Sequence, residues 1–257
     1  MIASHLVGTE SGLQAHLNTI GIPPRMFQAL YLSPHFDDVV LSCGGQIYER
    51  TLRGERVAVL TVCAAPAPAQ LSPFAADLHA RWSAPGRFDR AAEDRAALAV
   101  LNAEPMHLNI HDCIYRRSAT GEWLYDSEDD IFGELSALEP TPVAAIAAEL
   151  ARIAALAPGA EVFAPAAIGN HVDHQLVRAA AEQWSKSAGG FRLFHYADYP
   201  YAASKVVAPG KVIALSDSAR QAKIESFRQY RSQLSTFWKD ETAMAEEVSR
   251  WAERVFE

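Results

Sequence analysis

Two short clusters carry residue types that together can hold a metal ion and run a hydrolysis beside it. Ser33-Pro34-His35-Phe36-Asp37-Asp38 crowds one imidazole and two carboxylates onto a turn, and Gly169-Asn170-His171-Val172-Asp173-His174 adds two imidazoles and a third carboxylate. A catalytic zinc takes three protein ligands from His, Asp, Glu or Cys and keeps one position open, so His35, Asp38 and His174 would supply a set for one zinc per chain. Such donors suit zinc better than magnesium or calcium. With Asp38 committed to the metal, Asp37 is free to act as general base toward a water whose pKa the ion lowers to about 7. His171, protonated beside Asp173, could stabilise the oxyanion of a tetrahedral intermediate or protonate the leaving amine. Every role in amide hydrolysis then has a candidate.

Each cluster alone has a plainer explanation. An Asp after a strand often only caps a helix, and His-x-Asp-His can be a capped helix start with surface histidines. What favours chemistry is where the elements put both clusters. Residues 28–33 form a short apolar run and 38–53 follow with helical spacing up to Gly54; residues 56–63 are a second strand, completing a βαβ unit. Helix 87–102, strand 106–110, helix 142–156, strand 161–167, helix 172–186 and strand 191–196 continue the alternation, followed by an extended stretch at 206–215 and two C-terminal helices. The pattern predicts one α/β domain over residues 1–257, a Rossmann-like, mostly parallel sheet with helices on both faces. In a 3-2-1-4-5 strand order the first and fourth strands adjoin at the switch point, which brings both clusters to one mouth. Residues 64–86, rich in Ala and Pro with Phe74 and Trp82, read as a functional loop over that mouth.

Composition narrows the partners. A net charge of −8 without a Lys/Arg cluster argues against nucleic acid. Three widely spaced cysteines, Cys43, Cys63 and Cys113, suggest neither a disulfide framework nor a cysteine metal site and fit a cytoplasm. No run approaches the ~18 apolar residues of a membrane span.

The paired motifs resemble the PIG-L/LmbE-like family of metal-dependent deacetylases, in the branch with Ser-Pro-His-x-Asp-Asp followed by Leu-Ser-Cys-Gly, here residues 33–38 and 41–44. The resemblance runs from about residue 29 to the C-terminal helices and leaves residues 1–26 as an N-terminal extension. It implies removal of an N-acetyl group from an N-acetylglucosamine-type sugar or glycoconjugate. It also implies zinc on His35, Asp38 and His174, Asp37 as base, and His171 with Asp173 assisting the intermediate. The family's commonest motif ends Asp-Asp-Glu, whereas Val39 follows the carboxylates here. Because the family also holds thiol-conjugate amidases and a hydratase, cleavage of another N-acyl substrate and metal-dependent hydration stand as alternatives.

Weaker matches are Arg90 with Glu93 and Asp94 on a helix, Asp112 with Arg116 in the next loop, and Asp198-Tyr199-Pro200-Tyr201 after a later strand. Arg90, Asp112 and Arg116 are candidate substrate contacts, Asp112 the best placed because it follows a strand on the mouth side. The plainer readings are a solvated helix pair for Arg90 and Glu93, a surface charge for Arg116, and core packing for Tyr230 and Trp238. The aromatic C-terminal helices point to a homo-oligomer.

Overall fold

The computed structural model describes residues 27–82, 89–139, 141, 143–154, 157–187, 191–203 and 210–257. The expected N-terminal extension, residues 1–26, lies outside them. Seven strands form one sheet in the order β3-β2-β1-β4-β5-β7-β6. These are β1 (Ala29–Ser33), β2 (Val57–Thr61), β3 (Glu104–His107), β4 (Glu161–Pro165), β5 (Arg192–Tyr196), β6 (Lys211–Val212) and β7 (Arg254–Phe256). The first five are parallel in the expected 3-2-1-4-5 order, and β1 pairs directly with β4. β7 runs antiparallel to β5 and to β6. That C-terminal strand has no counterpart in the sequence prediction, since its three residues are too few to show a period.

Side chains alternate across a strand, so β1 serves two cores. Ala29 and Tyr31 face one layer with α1 (Asp38–Leu52), α3 (Arg90–Val100) and α7 (Asp217–Phe227), where Tyr31, Phe163 and Phe194 stack ring on ring. Leu30 and Leu32 face the other, with α5 (Val143–Ala154) and α6 (Val172–Ser187). Both faces of the sheet are therefore covered, as the near-continuous apolar strands demand. Gly54 at φ 80° ends α1, with the Glu55 N–H donating to Arg50 O at 3.1 Å.

Two expectations change. Within residues 64–86, Pro73–Trp82 is a helix, α2, opened by Ser72, whose Oγ accepts from Ala75 N at 3.0 Å; residues 83–86 lie outside the description. The C-terminal region holds α7, α8 (Arg231–Phe237) and α9 (Glu241–Arg250), three helices instead of two. Phe227, Tyr230 and Trp238 are buried in the core they form, while Phe237 is exposed.

Candidate active site

The first cluster sits on the β1–α1 turn. Ser33 does the capping work there: its Oγ donates to His35 O at 2.6 Å and accepts from Val39 N at 3.2 Å. Asp37 occupies the N-cap position at φ 88°, yet its side chain makes no capping bond. A non-glycine residue rarely adopts positive φ, so the turn holds Asp37 in a costly conformation while leaving its carboxylate uncommitted. The capping explanation therefore fails for Asp37. The Arg90 guanidinium lies 3.7 Å from that carboxylate. Burial pushes its carboxyl up to about 7, against the lowering effect of Arg90.

The second cluster opens α6 after a turn in which Ala167, Gly169 and Asn170 all have positive φ. Because β1 and β4 adjoin, the two turns meet. Asp38 Oδ2 lies 3.1 Å from His35 Nδ1 and 3.3 Å from His174 Nε2. The other nitrogen of each imidazole is held by a buried carboxylate: His35 Nε2 by Asp173 at 2.8 Å, His174 Nδ1 by Asp198 at 2.7 Å. Ligands about 2.0–2.2 Å from a tetrahedral ion stand roughly 3.3–3.6 Å apart, close to these spacings. His174 Nε2 is buried without a hydrogen-bond partner, so a lone pair at this position is free for an ion. The residues fit a divalent metal, with Asp173 and Asp198 fixing the tautomer and orientation of its histidines.

Charge tells the same story. Asp38, Asp112 and Asp173 converge on His35. Without an ion the imidazoles must supply the balancing charge. Against burial, which lowers it, Asp38 and Asp198 raise His174 to about 9, and Asp112, Asp173 and Asp38 raise His35 well above its ordinary value. Asp38 is held well below the carboxylate range by His174 and His35 despite its burial, and Asp173 by Arg116 and His35.

His171 differs from expectation. The Asp173 carboxylate does not pair with it but binds His35, Cys113 N at 3.0 Å, and the Arg116 guanidinium. Burial and the neighbouring His35 and His174 push His171 down to about 3, so it is neutral and not an imidazolium. Its Nδ1 accepts from Asp173 N at 3.2 Å, which puts its proton on Nε2. A donor is thus kept, without the charge.

The candidate substrate residues divide. Arg90 does not pair with Glu93, whose carboxylate accepts from Ser232 N and Oγ at 3.1 and 2.6 Å. Its guanidinium lies between Trp82 and Phe36, 5.6 and 5.7 Å from their centroids, beside Asp37. Asp112 gives one oxygen to Ile114 N at 3.3 Å and turns the other toward His35 at 3.7 Å. Arg116 is no surface charge: it is 3% exposed and paired with Asp173 and Glu139. It orients Asp173, and its burial leaves no guanidinium face for a substrate.

Residues 30–185 match the family model described as GlcNAc-PI de-N-acetylase, PIG-L. The chain belongs to the PIG-L family. Two curated relatives are both named 2′-N-acetylparomamine deacetylase. That of Niallia circulans is 27% identical over 67% of this chain and 66% of its own length; that of Streptomyces fradiae is 30% identical over 70% and 60%. The chain thus spans less than two thirds of the length of the curated relatives it matches. A solved structure, the zinc-inhibited form of the teicoplanin deacetylase Orf2, superimposes with a TM-score of 0.74 at 28% identity, covering 88% of this chain and 96% of that one.

Within this PIG-L domain, the sequence flagged Asp198 only as part of a weak match. Its position just past β5, on the same sheet edge as Asp112 past β3, is the signal that could have identified it. Nothing in the sequence marks Arg116 as buried, because a charge inside a protein is set by partners far along the chain.

Proposed function

We propose that this chain is a zinc-dependent deacetylase, one ion per chain on His35, Asp38 and His174, that hydrolyses the N-acetyl group of an amino sugar or glycoconjugate. One observation carries the reading: three donor atoms converge within 4.8 Å, and both imidazoles are backed by buried carboxylates. The paromamine and teicoplanin deacetylases named above support the choice of substrate class. A divalent ion there supplies Lewis acidity, acidifying water and polarising an amide carbonyl.

The chain's own residues do the rest. Asp37, buried with a carboxyl near 7, accepts the proton of the attacking water and returns it to the amine nitrogen as the C–N bond breaks, and Arg90 beside it keeps the carboxylate from being fully neutralised. His171 Nε2–H donates to the developing oxyanion without carrying a charge that would repel the ion. Asp173, fixed by Arg116 and Cys113 N, holds His35 in place. Asp112, whose Oδ2 is not held by Ile114 N, offers that oxygen to sugar hydroxyls. A hydratase would call for several clustered guanidiniums facing the metal, and with Arg116 buried against Asp173 no cluster forms around Arg90 among the described residues, which favours the amide reading.

No helix among the described residues is long and apolar enough to cross a membrane. The three cysteines are buried and unpaired, in keeping with a reducing cytoplasm.

Elemental analysis tests the ligand set. His174→Ala is expected to lose bound zinc and Asp37→Ala to retain about one per chain; the reverse pattern would exchange ligand and base. Acidity gives a second check. In metal-free protein His174 titrates near 9 folded against 6.5 as its ordinary value, a raised folded value. Its stabilising proton is fully present below about pH 6.5 and lost as pH rises through about 9. Chelated protein should therefore melt progressively lower across that window, while zinc-loaded protein, in which the ion replaces the proton, falls less. Parallel melting curves would argue against His174 as a ligand.

A further inference from the structure

Phe132 plays no part in the chemistry above, yet the fold fixes it at the edge of the site. It follows α4 (Glu128–Ile131) and is 38% exposed. A single exposed aromatic is ordinary. The way this one is held is not. Asn170 Nδ2 donates to Phe132 O at 3.0 Å and to Gly133 O at 2.7 Å, and Gln175 Nε2 donates to Gly133 O at 2.8 Å and to Asn170 O at 2.7 Å. Both clamping amides belong to the segment that carries His171, Asp173 and His174. Gly133 completes the clamp, since a Cβ there would stand 3.0 Å from Asp129 O.

The clamped ring meets His171 edge to face, with centroids 5.5 Å apart, and meets Tyr201 at 5.7 Å. Tyr201 is itself seated by Gly169, where a Cβ would come within 2.5 Å of the ring, and lies edge-on to His174 at 5.6 Å. A continuous aromatic rim thus runs outward from the proposed metal ligand His174 through Tyr201 to Phe132. The polar candidates for substrate hydroxyls, Asp112 and Arg90, come from other elements, the loop after β3 and the start of α3.

Resting on the deacetylase reading, we infer that Phe132 is a specificity-determining platform for the ring that bears the scissile acetamido group. A pyranose or cyclitol ring has one face of C–H groups and a perimeter of hydroxyls. The C–H face covers exposed apolar surface on Phe132, the hydroxyls reach polar groups, and the carbonyl oxygen of the scissile amide stays next to His171. Phe132 selects amino-sugar rings over flexible N-acyl chains, which present no flat face to it.

Steady-state acetate release from 2′-N-acetylparomamine and N-acetylglucosamine by zinc-loaded protein tests this. Phe132→Ala is expected to raise KM for at least one of them roughly tenfold, the worth of some tens of Å² of lost apolar contact, with kcat, zinc content and melting temperature unchanged. Phe132→Tyr should restore KM. An unchanged KM, a loss in kcat alone, or a failure of Tyr to rescue would overturn the platform while leaving the deacetylase reading intact. Wild-type protein that releases acetate from neither sugar would overturn that reading, and the platform with it.

Discussion

Asp37→Asn is expected to keep the fold and the metal and to lose roughly a hundred- to ten-thousand-fold in kcat, the range of a positioned general base. The substitution is nearly isosteric. Asn tolerates positive φ better than most residues, so the turn at φ 88° is not further strained. Asp37 makes no capping bond and is 6% exposed, so no stabilising hydrogen bond of α1 is lost with its charge. What disappears is a carboxylate that burial has raised to about 7, near the pH at which a base of this kind works best. Arg90, 3.7 Å away, loses its charge partner but keeps its place between Phe36 and Trp82. Single-turnover rates beside zinc content decide the matter: normal zinc with slow turnover fits a base, whereas a loss of zinc would make Asp37 a ligand.

The largest stability effect is expected far from the reaction. Glu253, just before β7, is fully buried, and its carboxylate accepts from Lys223 Nζ at 2.9 Å and from the N–H groups of Gly45 and Gln46 at 2.8 and 2.9 Å. Two glycines make this approach possible. A Cβ on Gly45 would stand 3.0 Å from Glu253 Oε1 and closer still to Leu215, and one on Gly44 would press on Lys223 at 3.1 Å. Glu253→Ala leaves a buried ammonium without a partner, which typically costs about 3–5 kcal/mol and a fall of order ten degrees in Tm. Replacing both charges, Lys223→Met with Glu253→Leu, should recover part of the loss, because no lone charge remains. A single variant within about 0.5 kcal/mol of wild type in urea unfolding would show the pair to be solvated. Gly45 and Gln46 lie on α1, the helix whose first turn carries Asp38.

The contrast between these two predictions tracks what was legible in the sequence. Asp37, Asp38, His35, His171 and His174 lie in two short motifs at strand ends, and strand order follows from the βα alternation, so their meeting could be inferred without coordinates. Partners set by tertiary packing could not. Closeness in sequence pairs the Asp173 carboxylate with His171, but it faces His35, 138 positions away. Arg116 and Lys223 carry charges that composition assigns to the surface, and each is buried by a carboxylate from a remote segment. Helix α2 was legible in part: Ser72-Pro73 is a cap followed by a first-turn proline. The Ala- and Pro-rich residues before it obscured the signal. The C-terminal aromatics look the same in sequence whether they face solvent or one another, and here Phe227, Tyr230 and Trp238 pack together.

Acetate release from 2′-N-acetylparomamine and N-acetylglucosamine, measured on protein stripped by chelator and again after one equivalent of zinc is returned, bears most directly on the central claim. Activity on at least one sugar that vanishes with the metal and returns near one zinc per chain is the predicted result. Undiminished release by the stripped protein, or none from either sugar when zinc is bound, would contradict it.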